Sequence, residues 1–135
     1  MTNGETKTIT KEYISPYNIQ ELEYFRHIIL DKRDEAIQEL ENLKSTLQDD
    51  MDSTSTKSAY SSHVADVGTN VMEQEKTYIL LNRTRKFINY LDRALQRIDN
   101  KTYGICKVTG KKISKGRLES VPHTQLSIEA KKKQR

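Results

Sequence analysis

Three histidines (His27, His63 and His123) and one cysteine (Cys106) are the chain's only imidazole and thiol groups. They are widely separated, and no Gly-rich phosphate loop or nucleophile motif accompanies them. Enzymatic chemistry finds no support in such a set, so the chain is read as a non-enzyme. A single cysteine excludes an internal disulfide framework and fits a reducing cytosol. The chemistry left to the sequence is that of placed charge. Asp49, Asp50 and Asp52 crowd one short stretch, and Asp66 follows next to a second periodic segment. An acid there also suits the dipole of a helix N-terminus. Arg83, Arg85 and Lys86 form a basic cluster, and Lys131-Lys132-Lys133-Gln134-Arg135 is denser still.

These charges need elements to carry them. Residues 1–14 are polar, Thr-rich and without helical period, and read as a flexible leader. Ser15-Pro16 is a helix start signal, with Ser as N-cap and Pro where a missing N–H costs nothing. Ile19, Leu22, Phe25, Ile29, Ala36, Leu40, Leu43 and Leu47 then recur at helical spacing, the last four in coiled-coil alternation. The period is lost over 49–63, which reads as a turn region. A second stripe runs through Met72, Leu80 or Leu81, Thr84, Phe87 or Ile88, Leu91, Leu95 and Ile98. Two long helices with one apolar stripe each should pack as an antiparallel coiled-coil hairpin over 15–100, its tip at about 49–70.

The last 35 residues differ. Tyr103 to Ile113 alternates and turns on Gly110, which reads as a short β-hairpin, and a short helix is expected from about Ser127 to the end. Tyr103, Ile105, Val108, Ile113, Leu118 and Leu126 are the candidate core of this module. The fold class is mainly α: a helical hairpin plus a small module at 101–135.

Composition agrees. Hydrophobic residues make up 34% and charged residues 31% of 135, with no Trp, against an apolar share of about 45–50% in compact globules. A thick core is excluded, and no apolar run approaches the ~20 residues of a membrane helix. The first 100 residues hold 13 Lys+Arg against 17 Asp+Glu; the last 35 hold 10 against two, Glu119 and Glu129. A basic end of this kind attracts phosphates or an acidic protein surface.

The run Leu95-Gln96-Arg97-Ile98-Asp99-Asn100-Lys101-Thr102-Tyr103-Gly104-Ile105-Cys106, with Gly110, Ile113, Arg117-Leu118-Glu119 and Pro122, resembles the DksA/TraR family of bacterial transcription regulators. His63-Val64-Ala65-Asp66-Val67-Gly68-Thr69-Asn70, with Glu73 and Glu75-Lys76, is similar to that family's tip-to-second-helix segment. The resemblance implies a cytoplasmic protein that binds RNA polymerase and not promoter DNA. The hairpin would enter the secondary channel, bring tip acids near the active centre and alter transcription initiation. It places a tip acid at Asp66 and puts His63 where a second acid is usual, with Asp49, Asp50 and Asp52 opposite. Arg83 and Lys131 match positions that bind the alarmone ppGpp in some members, and Tyr90 stands where another basic residue is usual.

The metal site departs from the family. Its two CxxC pairs fall here on Cys106-Lys107-Val108-Thr109 and Ser127-Ile128-Glu129-Ala130, which leaves Cys106 as the one ligand-type residue. Structural zinc takes about four N, S or O ligands, so no cofactor is expected and Cys106 is read as a small buried hydrophobe. With seam partners inside one chain, a monomer is expected. Two competing readings remain: a non-specific nucleic-acid binder using the basic module, and a coiled-coil adaptor.

Overall fold

The computed structural model describes residues 14–60 and 64–134, with side chains placed at 14–49, 52 and 71–134. Four helices follow in order: α1 (Ile19–Tyr60), α2 (Val64–Asp99), α3 (Lys115–Ser120) and α4 (Ile128–Lys133). At 1.5 Å per residue, the 42 residues of α1 and 36 of α2 extend about 63 and 54 Å. The architecture is mainly helical, with the connectivity of a long helical hairpin.

α1 does not start at the expected signal. Asn18 is the cap: its Oδ1 accepts the Glu21 N–H at 2.8 Å, and Glu21 Oε1 accepts the Asn18 N–H at 3.1 Å. This is a reciprocal capping box. The Ser15 hydroxyl is engaged elsewhere, donating to the Tyr103 carbonyl, while its N–H donates to the Lys101 carbonyl. The other end also differs from expectation, because α1 runs through 49–60 to Tyr60. That stretch has no Gly or Pro, and Ser, Thr and Asp cost only about 0.5 kcal/mol each in a helix. Loss of apolar period there does not mark a break in the helical backbone.

α2 ends in a Schellman turn. Thr102 N–H donates to the Arg97 carbonyl at 2.8 Å and Lys101 N–H to the Ile98 carbonyl at 3.1 Å. The left-handed position that such a turn requires is held by Lys101, at φ 61°, in place of glycine.

The chain divides into two compact units, one of 14–32 with 90–134 and one of 33–89. In the first, Tyr17, Leu22, Phe25, Ile29, Leu91, Ala94, Ile98, Tyr103, Cys106, Ile113, Leu118 and Ala130 are buried. Phe25 lies at its centre, with ring centroids of Tyr17 at 5.1 Å and of Tyr24 and Tyr103 at 5.4 Å. In the second, the buried residues among those described are Ala36, Leu81 and the hydroxylic Thr77 and Thr84. Thr77 and Thr84 turn their hydroxyls onto the carbonyls of Glu73 and Leu80, which satisfies them inside their own helix.

The expected β-hairpin reduces to a single antiparallel bridge, Ile105 with Lys112. Lys107 N–H goes to the Gln125 carbonyl at 2.9 Å, so the ladder cannot continue. Of the candidate module core, Tyr103, Ile113 and Leu118 are fully buried, and Ile105 and Leu126 are partly covered. Val108 is 60% exposed: it sits on the turn outside the bridge. Among the described residues no helix is long and apolar enough to cross a membrane.

Candidate functional site

Two sets of residues carry the functional expectation. On the helical arm, Asp49 and Asp52 are exposed in the last turns of α1, and Gln48 Nε2 donates to Asp52 at 3.1 Å. The backbones of Asp50 and Asp66 lie in α1 and α2, but their side chains are outside the described residues, as is all of His63. Arg83, Arg85 and Lys86 are exposed on α2. None of the three makes an ion pair within the chain among the described residues.

The module is built from its aromatic and carbonyl contacts. Tyr17 hydroxyl donates to the Ile113 carbonyl, and Tyr103 hydroxyl to the Pro122 carbonyl at 2.7 Å. Burial pushes the Tyr103 phenol up, so it stays protonated as a donor. Gly104 adopts φ +87°, and a Cβ there would meet the Tyr17 ring at 2.7 Å. Arg97 donates to the His123 carbonyl at 3.1 Å, and the Tyr90 and His123 rings stack 5.8 Å apart and 8° from parallel. His123 is held below its ordinary pKa, first by burial and then by repulsion from Arg97, Lys32 and Arg117.

Around Cys106 the chain brings together residues far apart in sequence. The Ser127 N–H donates to Cys106 Sγ at 3.4 Å, and Ser127 Oγ, capping α4, accepts from Ala130 N–H at 3.2 Å. Burial pushes the thiol up, but hydrogen bonds from Thr109 and Ser127 outweigh it and bring the pKa down to about 6. Thr109, Ser127 and Glu129 line an open cleft with Lys111, Lys112 and Ser114. So the positions read as two ligand pairs converge at 106, 109 and 127, and they present one thiol and two hydroxyls. Among the described residues no group of three His, Cys, Asp or Glu side chains could hold a metal ion. Lys131 is exposed on α4.

Sequence reasoning missed the segment 15–17 as part of the module. Ser15 is 6% and Tyr17 4% exposed, and both are buried with the core. No helical period could signal it, because Tyr17 precedes α1 and the hydroxyls of Ser15 and Tyr17 bond to Tyr103 and Ile113, 88 and 96 residues away.

Comparison with known proteins agrees with this architecture. Residues 101–134 match the family model described as the prokaryotic dksA/traR C4-type zinc finger. A curated relative, the RNA polymerase-binding transcription factor DksA of Caulobacter vibrioides, is 29% identical over 116 residues, 86% of this chain and 77% of its own. General stress protein 16O of Bacillus subtilis is 37% identical over 68 residues, half of this chain and 42% of its own. The solved structure of transcription factor DksA2 from Pseudomonas aeruginosa matches at a TM-score of 0.72 and 30% identity, covering 85% of this chain and 83% of that one. The expectation that no cofactor is involved is corrected here, because the family model matched is that of a zinc-binding C4 module. The side chains present do not fit a four-thiolate site: Cys106 supplies one sulfur, and Thr109, Ser127 and Ala130 stand at the other positions. A helical hairpin, a Cys106-centred module and a 30% identical structural relative matched over most of both chains together place this chain in the DksA/TraR family.

Proposed function

We propose that this chain is a cytoplasmic, non-enzymatic regulator that binds RNA polymerase, enters its secondary channel with the helical arm and modulates transcription initiation. The observation that carries the reading is the likeness to DksA2 over 85% of the chain, supported by a curated relative that is itself named RNA polymerase-binding. The physical features suit the task. The two long helices lack an apolar all-round surface, so the arm can stand in a wet channel. Asp66, two residues into α2, would give the tip acid that acts on the polymerase's cations or basic loops, whereas the helix through 49–60 puts Asp49, Asp50 and Asp52 about 12–17 Å before the end of α1. The basic module, with exposed Lys111, Lys112, Lys131, Lys132 and Lys133, would hold an acidic rim. Arg83 and Lys131 are the residues proposed to take part if ppGpp modulates the effect.

The test is binding of the purified chain to bacterial RNA polymerase core enzyme by size exclusion, with promoter-complex lifetime as the functional readout. Asp66→Asn is expected to co-elute normally and to lose most of the effect on lifetime. Loss of co-elution instead would remove Asp66 from the tip role, and failure of the unaltered chain to bind at micromolar concentration would sink the polymerase reading. The +8 charge of residues 101–135 favours one second reading, non-specific nucleic-acid binding. Retention of DNA by the chain alone at moderate salt, without polymerase binding, would put that reading first.

A further inference from the structure

The unit of residues 14–32 and 90–134 gathers positive charge around one imidazole without a matching carboxylate. Lys32 on α1, Arg97 on α2, Arg117 on α3 and His123 beyond α3 are each partly buried. Arg97 Nη2 donates to the His123 carbonyl at 3.1 Å, and the His123 ring stacks on Tyr90. The charged groups that act on this ring are Arg97, Lys32 and Arg117, cations without exception. Arg97 is itself held below its ordinary pKa, first by burial and, after an opposing effect of Tyr103, by repulsion from Arg93.

The carboxylates closest in sequence are engaged elsewhere. Glu119, two residues from Arg117, accepts the Tyr24 hydroxyl, and Asp99, two residues from Arg97, accepts from Arg26 at 2.6 Å. Among the described residues Lys32, Arg97 and Arg117 form no ion pair. A second observation is independent of charge. The Arg117 Nε–H is shut off from solvent and finds no hydrogen-bond acceptor in the chain. A buried donor left in that condition is costly, more so on a charged group. In a native fold such an atom ordinarily answers to an ion or a water.

The chemistry of the cluster narrows what would answer it. A guanidinium presents a planar fork of N–H donors that fits two oxygens of a phosphate or a carboxylate. Charge separates those two, because one carboxylate would leave two of the three cations uncompensated and a phosphate dianion only one. We propose that the cluster of Lys32, Arg97, Arg117 and His123 binds a phosphate dianion, as the free ion or as the phosphoryl group of a small phosphomonoester. Arg83 and Lys131 are not among the groups that act on His123, so the site uses other residues than those proposed for ppGpp. It goes beyond the polymerase reading and does not depend on it. A bound dianion would offset the three cations and favour the imidazolium form of His123.

Proton NMR of the His123 ring in the full chain tests this, with inorganic phosphate titrated at pH 7 and ionic strength held constant with sodium chloride. The ring signals, assigned by their loss in His123→Gln, should move saturably towards the imidazolium position. Half-saturation is expected at about 1 mM, which two or three charge-assisted hydrogen bonds can supply. Arg117→Gln should raise that concentration about tenfold. Lys32→Gln should raise it about threefold, and it is the second variant should Arg117→Gln perturb the fold. Lys107→Gln, which removes an exposed charge elsewhere in the module, should leave it unchanged. Glycerol 2-phosphate binding as tightly as phosphate would support the site as one for phosphomonoesters, and binding at least tenfold more weakly would support it as one for the free ion. No saturable shift up to about 50 mM phosphate, Arg117→Gln and Lys32→Gln both titrating as the unaltered chain does, or acetate binding more tightly than phosphate would each overturn the proposal.

Discussion

The unit of residues 14–32 and 90–134 and the unit of residues 33–89 draw on the same two helices but bury different kinds of side chain. In the first, rings and aliphatic side chains from α1, α2 and the module enclose Phe25, Ile29, Leu91 and Tyr103 with almost no exposure. In the second, the buried positions are Ala36, Leu81 and two threonines that bond to their own backbone, and Leu40, Leu43 and Leu47 are only partly covered. A helix pair needs little apolar area to stay paired when the helices are continuous with a well-packed base, because the base has already met the cost of nucleating them. The arm is thereby left free to vary its surface, and the base carries most of the stability.

That division makes the largest prediction. Phe25→Ala removes a fully buried ring in contact with three others and should cost about 3–5 kcal/mol. Leu43→Ala, at a half-covered arm position, should cost about 1 kcal/mol. Urea denaturation followed by circular dichroism reads both. Equal losses would show that the arm contributes to stability as much as the base and would break the comparison.

The next effect lies in the module. Gly104→Ala puts a methyl 2.7 Å from Tyr17 ring carbons in a backbone conformation at φ +87° that favours glycine. Strain and overpacking together should cost about 2–4 kcal/mol. Adding Tyr17→Leu should recover part of that loss if the ring is the obstacle, whereas no recovery would assign the cost to φ alone.

The two units also differ in how far the sequence disclosed them. The long helices were legible because Leu22, Phe25, Ile29, Leu91 and Ile98 repeat at helical spacing and are all buried. Within the stripes, Ile19 and Met72 were included by period yet are 68 and 62% exposed. A periodic pattern gives the side of a helix, but not how far along that side a neighbour reaches. The end of α1 was misplaced for the same reason, since 49–60 has helical backbone without an apolar face. The module was least legible. Its folding depends on carbonyls accepting from Ser15, Tyr17 and Tyr103 across 88, 96 and 19 residues of chain. No local period records such bonds. Cys106, Thr109 and Ser127 were placed together through the family resemblance, and geometry added the N–H from Ser127 to sulfur. The zinc exclusion failed because it weighed ligands in one chain against a family whose matched module is described by its four cysteines.

A smaller effect of opposite sign sharpens the comparison at the junction between helix and module. Lys101 occupies the left-handed residue of the Schellman turn at φ 61°, a conformation that costs a non-glycine residue roughly 1 kcal/mol. Lys101→Gly should therefore stabilise the chain by up to about 1 kcal/mol, reduced by the greater entropy of glycine in the unfolded chain. A thermal melt with an unchanged or lower midpoint would mean that this entropy outweighs the strain.

The smallest expected effect is a pH dependence confined to the base. His123 lies below its ordinary value of 6.5 because burial disfavours the imidazolium and Arg97, Lys32 and Arg117 repel it. The unfolded chain therefore binds a proton at a pH where the folded chain does not. By linkage, stability rises with pH wherever the unfolded state holds more protons. His123 thus leaves stability intact above about pH 6.5 and withdraws it as pH falls from there through the lower folded value, beyond which its contribution levels off. Urea midpoints of the unaltered chain and of His123→Gln, each at pH 7.5 and pH 5.5, isolate this residue from the other titrating groups. The unaltered chain should lose more between the two pH values than the variant. Equal losses would show that the folded site accepts the imidazolium as readily as water does, and the stack on Tyr90 would then have to hold a cation beside three others.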